Sequence, residues 1–134
     1  MGQSAGLRLL LDTHIWIYLI QDPEKLGRET LRQLSDTRNE LWLSPISTWE
    51  ALTLNYKHRI RLHGELSDWL ARATAGTTEA PFTHEIALAA RRLEMHQDPA
   101  DRILVATAQV LDLTLVTADK ELLGLGTIRI LANR

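Results

Sequence analysis

The stretch "LRLLLDTHIWIYLI", residues 7–20, decides the fold. Its first part, residues 7–12, is a near-continuous apolar run, as in a parallel strand buried on both faces. From Thr13 to about Ile20 the pattern becomes helical. A strand that feeds straight into a helix opens an α/β unit, and the rest of the chain keeps alternating. Asp22 is placed to cap a second helix, with Pro23 at its first position, running to about Ser35. "ELWLS" (40–44) reads as a strand and "STWEALTLNYKH" (47–58) as a helix. "GELSDWLARATA" (64–75) is a further amphipathic helix. "EAPFT" (79–83) is a short strand that Pro81 confines to an edge or breaks. Residues 84–96 are helical, and a second helix follows Asp98. "LTLVT" (113–117) is a strand and "TIRIL" (127–131) an edge strand. The sum is one α/β domain over 1–134 with a mostly parallel sheet, residues 1–6 forming a loose tail.

Composition narrows the chemistry. With 134 residues, 45% of them hydrophobic, the chain can bury a sizeable core. It has no cysteine, which excludes disulfides, thiol catalysis and zinc–thiolate sites and suits a reducing cytoplasm. The N-terminal apolar run is too short for a signal peptide, and no run is long enough to span a bilayer. The formal net charge is −2. Proteins that hold nucleic acid by charge alone are usually basic. A nucleic-acid partner would therefore need a local basic patch or bound metal ions.

The acidic residues fall at element boundaries. Asp12 ends the first strand, Glu50 lies in the first turn of the helix after the second, and Asp119 follows "LVT". In open parallel sheets ligands bind outside the carboxyl ends of the strands. Asp98 and Asp101 open a late helix that reaches the same edge if it runs antiparallel to the strands. Each acid also has a purely structural reading. Asp12 can cap the helix that follows, Asp119 can cap the short turn "DKELLG", Asp98 with Pro99 starts a helix, and "STWE" (47–50) matches a capping box pairing Ser47 with Glu50. Asp101 is different. Its neighbours three, four and seven residues on are Leu104, Val105 and Ala108, so its face is apolar and inward. An inward carboxylate calls for a positive partner, a metal ion or a distant arginine. All-oxygen ligands favour magnesium or manganese over zinc. Arg102 shares the opposite, more solvated face with Gln109.

The blocks "LLLDTHIWIYLI", "SPISTWEALTL", "HQDPADRILVATAQV" and "LTLVTAD" resemble, in order and spacing, the PIN-domain ribonucleases, specifically the VapC-type toxins of toxin–antitoxin pairs. The resemblance runs from about residue 8 to 131. It implies a three-layer α/β/α sandwich around the sheet. It also implies cleavage of RNA phosphodiester bonds by a metal-activated water, with Mg²⁺ or Mn²⁺ as the cofactor. Carried onto this chain, it implies a quartet of Asp12, Glu50, Asp101 and Asp119, with Asp12, Asp101 and Asp119 as metal ligands. Asp98 looks like a secondary acid and cap, and Thr13 and Thr117 match small hydroxyl positions near the site. The implied partners are an RNA substrate, a VapB-type antitoxin and a second copy in a homodimer, all in the cytoplasm. The chain departs from the family at Ala100, where relatives often carry an aromatic residue, and follows it loosely over 57–76. That looser segment holds "KHRIRLH" (57–63), so Arg59 and Arg61, and Arg102 farther on, are candidate phosphate contacts.

Other readings compete. A haloacid-dehalogenase-like phosphatase needs an aspartate at position 14, where this chain has His14. A receiver-type signalling domain does not match the acid spacing. A non-catalytic PIN scaffold, acting only by binding a protein partner or RNA, stays open. For Trp16, Tyr18, Leu19, Leu31 and Leu34, an antitoxin or dimer groove competes with simple core packing.

Overall fold

The opening apolar run forms β1 (Arg8–Leu11), whose three leucines are fully buried. Leu9 and Leu11 join one core with Ile15 and Trp16, while Leu10 joins a second with Leu104 and Leu115. Successive strand residues point to opposite faces, so β1 is covered on both. The computed structural model describes residues 6–95 and 98–134. After β1 come α1 (Thr13–Gln21), α2 (Arg28–Ser35), β2 (Glu40–Leu43), α3 (Pro45–Tyr56), α4 (Leu66–Thr74) and β3 (Thr77–Glu79). Then follow α5 (His84–Arg92), α6 (Pro99–Leu111), β4 (Thr114–Thr117), α7 (Lys120–Leu123) and β5 (Ile130–Ala132).

The five strands form a single sheet in the order β3-β2-β1-β4-β5, every pair parallel. One face is covered by α1, α2 and α4, where Trp16 donates its Nε1–H to the carbonyl of Ala73 (2.8 Å) and stacks obliquely on Trp69 at 5.3 Å. The other face is covered by α6, with α5 packed outside it through Ile86 and Ala90 against Ala106. The result is the α/β/α sandwich.

Several boundaries differ from the sequence reading, each for a local reason. The helix expected from Asp22 to Ser35 is divided. Pro23–Lys25 make one 3₁₀ turn, Asp22 gives no side-chain cap, and α2 restarts after Gly27. The break lies where the Gly27 N–H donates to Asn133 Oδ1 (2.7 Å), so the residue that follows the last strand anchors it. The helix α3 begins two residues early because Ser44 is its cap, accepting the Ile46 N–H at 3.1 Å, with Pro45 at the first position. The expected Ser47–Glu50 capping box does not form: Ser47 lies inside the helix, buried, its hydroxyl unpartnered. Strand β3 ends before Pro81 and is an edge strand, while α5 stops at Arg92, short of the expected end at 96, which lies outside the described residues.

The groove candidates divide. Trp16 and Leu34 are core, Tyr18 and Leu19 are half-buried, and Leu31 is exposed. No described helix is long and apolar enough to cross a membrane.

Candidate active site

Parallel strands bring their carboxyl ends to one edge, and β1 is central. Its successors leave on one side to β2 and on the other to β4, so the order of the sheet reverses beside β1. A crevice is expected at such a point. Asp12 follows β1 there, and Asp119 follows β4.

Asp12 does two jobs. It caps α1, its Oδ1 accepting the Thr13 N–H at 2.7 Å, and its Oδ2 accepts the Thr117 hydroxyl at 2.6 Å. Thr117 is fully buried and also accepts the Asp119 N–H (3.0 Å), which ties the end of β4 to the end of β1. Thr13, equally buried, donates its hydroxyl to Glu50 Oε1. One residue thus clamps two carboxylates, through its backbone N–H and through its side chain. Because α3 starts at Pro45, Glu50 sits in the second helical turn, beyond the first turn the sequence suggested. Its partner is Thr13 across the site, where the capping box would have made it Ser47.

Burial pushes the Asp12 carboxyl above its ordinary range. The Thr117 hydroxyl, the Thr13 N–H and the charge of His14 oppose the shift, and Asp119 adds to it. Burial likewise raises Glu50. The Thr13 hydroxyl opposes that shift, and the negative charges of Asp12, Asp98 and Asp101 reinforce it. The acids therefore feel one another across the edge. Asp98 caps α6 as expected, its Oδ1 accepting the Asp101 N–H at 3.1 Å. Asp101 is half-buried in the first turn of α6, and Leu104, Val105 and Ala108 below it are buried, as the helical phase required. Asp119 caps α7 through the Glu121 N–H (2.9 Å).

Arg102 is a correction. It is 7% exposed, not solvated. Its guanidinium donates to the carbonyls of Arg91 (3.0 Å), Leu93 (2.9 Å) and Met95 (3.1 Å). It fastens the end of α5 to the start of α6 and is not available on the surface for a phosphate. Arg59 and Arg61 are exposed, in the turn after α3.

The donor set suits a hard divalent cation: carboxylates only, half-buried, with like charges raising one another's affinity for positive charge. Each carboxylate oxygen that accepts one hydrogen bond keeps a lone pair for a ligand bond. As the side chains stand, no three described aspartate, glutamate or histidine groups are arranged around one ion position. Sequence reasoning missed the pairings of Thr13 with Glu50 and of Thr117 with Asp12. The resemblance placed both threonines near the site, and each lies within two residues of an acid, but neither signal names the carboxylate each would hold.

The chain resembles known proteins in both sequence and fold. The family model described as the PIN domain matches residues 9–126. Ribonuclease VapC22 of Mycobacterium tuberculosis is 30% identical over 116 residues, covering 85% of this chain and 88% of that protein. Among solved structures, VapBC2 from Rickettsia felis, bound to a DNA fragment from its promoter, superposes with a TM-score of 0.72 at 16% identity, covering 96% of this chain and 100% of that one. DNA-bound VapBC from Salmonella typhimurium gives 0.66 at 22% identity, with 94% and 98% covered.

Proposed function

This chain belongs to the PIN-domain family, of the VapC type, and from that premise we propose that it is a metal-dependent endoribonuclease, the toxin of a toxin–antitoxin pair. The observation that carries the reading is the Thr13 clamp, which draws Asp12 and Glu50 together at the carboxyl edge with Asp98 and Asp101 acting on Glu50. The ribonuclease name of the Mycobacterium tuberculosis relative supports it.

Asp12, Asp101 and Asp119 are the residues that would hold Mg²⁺ or Mn²⁺. A divalent ion held there supplies Lewis acidity toward the scissile phosphate and an attacking water. Thr117 keeps Asp12 turned toward the strand edge, and Thr13 does the same for Glu50 Oε1. Glu50 Oε2 is then left to orient that water and take its proton, a role that its raised pKa favours. Asp98 sets the start of α6 and so the position of Asp101. Arg59 and Arg61 are the proposed phosphate contacts.

The chain would act as one PIN domain in the cytoplasm, as a homodimer restrained by a VapB-type antitoxin. The VapBC assemblies among its structural neighbours support that partner. An antitoxin segment that leaves RNA cleavage unchanged at saturation would contradict it.

A purely binding scaffold is the second reading, favoured by the lack of three described side chains gathered around one ion position. Incubating structured RNA with the protein and Mn²⁺, with EDTA and with the Glu50→Gln variant separates the two. Cleavage that needs the ion and falls about 10²-fold or more in the variant supports the nuclease. RNA left intact by the wild-type protein with Mn²⁺ supports the scaffold.

A further inference from the structure

The helix that carries Glu50 also presents an exposed aromatic side chain beside it. Trp49 has 67% of its surface exposed, although an indole is a large apolar group that proteins mostly bury. Beside it is a cleft of about 240 Å³ lined by Trp49, Glu50, Thr53, Leu54, Lys57 and Arg59. It runs along α3 from the proposed catalytic carboxylate to the turn after the helix. Among the described residues, neither Lys57 nor Arg59 has a side-chain hydrogen bond or ion pair.

We propose that this cleft is a nucleotide subsite, in which one base of single-stranded RNA lies on the Trp49 indole while Lys57 and Arg59 hold its phosphate, leading the backbone to Glu50. This rests on the ribonuclease reading and gives it a substrate form.

The lining selects the occupant. A partner helix would ask for an aliphatic groove, but Leu54 is half-buried and belongs to the core, leaving the indole as the cleft's main exposed apolar surface. One π-face beside two unengaged cations is complementary to a base joined to a phosphate. The chain's net charge of −2 gives RNA no general attraction, so a local cationic pair must supply it. The volume is below the usual range for a drug-sized ligand and suits a single base with part of its backbone. Only a base free of its duplex neighbours can stack on a protein ring, so the strand is single at this point.

The test is fluorescence anisotropy of a labelled ten-residue oligouridylate and of an abasic ribose-phosphate chain of equal length. The full chain is used in EDTA at low salt, so that the probe stays intact. Trp49→Ala is expected to weaken oligouridylate binding roughly 5- to 140-fold and to leave the abasic chain unaffected. Trp49→Phe should restore most of the loss, which a folding defect would not allow. Lys57→Ala with Arg59→Ala should weaken both probes and flatten the slope of log K against log salt by about 0.7, the value for one phosphate contact on a single strand. Wild-type protein that binds neither probe, or Trp49→Ala that binds oligouridylate as the wild type does, overturns the subsite. So does a change from dimer to monomer in Trp49→Ala at unchanged RNA affinity, which would assign the indole to a second copy. Mn²⁺-dependent cleavage by the wild type is scored separately. Cleavage with no effect of Trp49→Ala sinks the subsite and spares the nuclease. No cleavage with the expected binding losses does the reverse.

Discussion

Replacing Arg102 by alanine removes a buried cation and the three hydrogen bonds it gives to the carbonyls of Arg91, Leu93 and Met95. Bonds from a charged donor contribute about 1.5–3 kcal/mol each. The three carbonyls belong to exposed or half-buried residues, so water can replace part of what is lost, and about 1 kcal/mol per bond is the better figure. The desolvation of the guanidinium, which the variant no longer meets on folding, offsets the loss of its packed hydrocarbon stem. The net loss is therefore about 3 kcal/mol. Unfolding entropy of ~2.1 cal/mol/K per residue gives ~280 cal/mol/K for 134 residues, so the melting temperature should fall by about 10 °C. Arg102→Lys keeps the charge but lacks the planar fork, and should fall in between. Circular dichroism melts of the metal-free protein read the shift. The start of α6, with Asp98 and Asp101, should loosen as well, seen as faster amide exchange there. A melting temperature within about 2 °C of wild type would refute the assignment of Arg102 as the fastener of α5 to α6.

Thr117→Val preserves shape but leaves Asp12 Oδ2 without its donor, which should cost about 1–3 kcal/mol in denaturant unfolding and move the acid limb of RNA cleavage to higher pH; an unmoved limb contradicts the pairing. For Asp12 and Glu50 the folded pKa lies above the unfolded one. Their stabilising effect is complete below the unfolded carboxylate pKa and is lost as pH rises through the raised value. Metal-free protein should therefore gain stability on mild acidification from neutral pH, relative to an Asp12→Asn, Glu50→Gln double variant; parallel pH profiles would contradict the shared burial. Gly27→Ala places a Cβ 2.1 Å from the Arg134 carbonyl oxygen at an ordinary φ of −64°, so the effect is steric, about 1–3 kcal/mol by urea unfolding. Wild-type stability in that variant would deny the close approach of Arg134 to the start of α2.

Much of this molecule is legible in its residues because burial has a period. "LRLLL" can only be a strand covered on both faces, and the acid at its end then has to face the sheet edge. Asp98 as a cap and Asp101 as an inward acid both follow from helical phase. Periodicity fails where more than one face is covered. Arg102 reads as solvated only if α6 has a wet side, and α5 lies over that side. Overlapping signals fail too. "SPIS" carries a cap and a first-turn proline, "STWE" carries a capping box, and only one can start the helix. The Ser44–Pro45 pair does, which frees Glu50 to reach Thr13. That pairing joins residues 37 apart and depends on how α1 and α3 meet, which local pattern does not encode. The division of the helix at Gly27 likewise depends on Asn133 from the far end of the chain.

On the proposed reading, the clamped carboxylates at the strand edge are the machinery of RNA hydrolysis. Single-turnover cleavage of one RNA by wild-type and Asp12→Asn protein at saturating Mn²⁺ tests it most directly. The expected rate is at least about 10²-fold lower in the variant, the scale of losing a main electrostatic contributor. Cleavage by Asp12→Asn at the wild-type rate would contradict it.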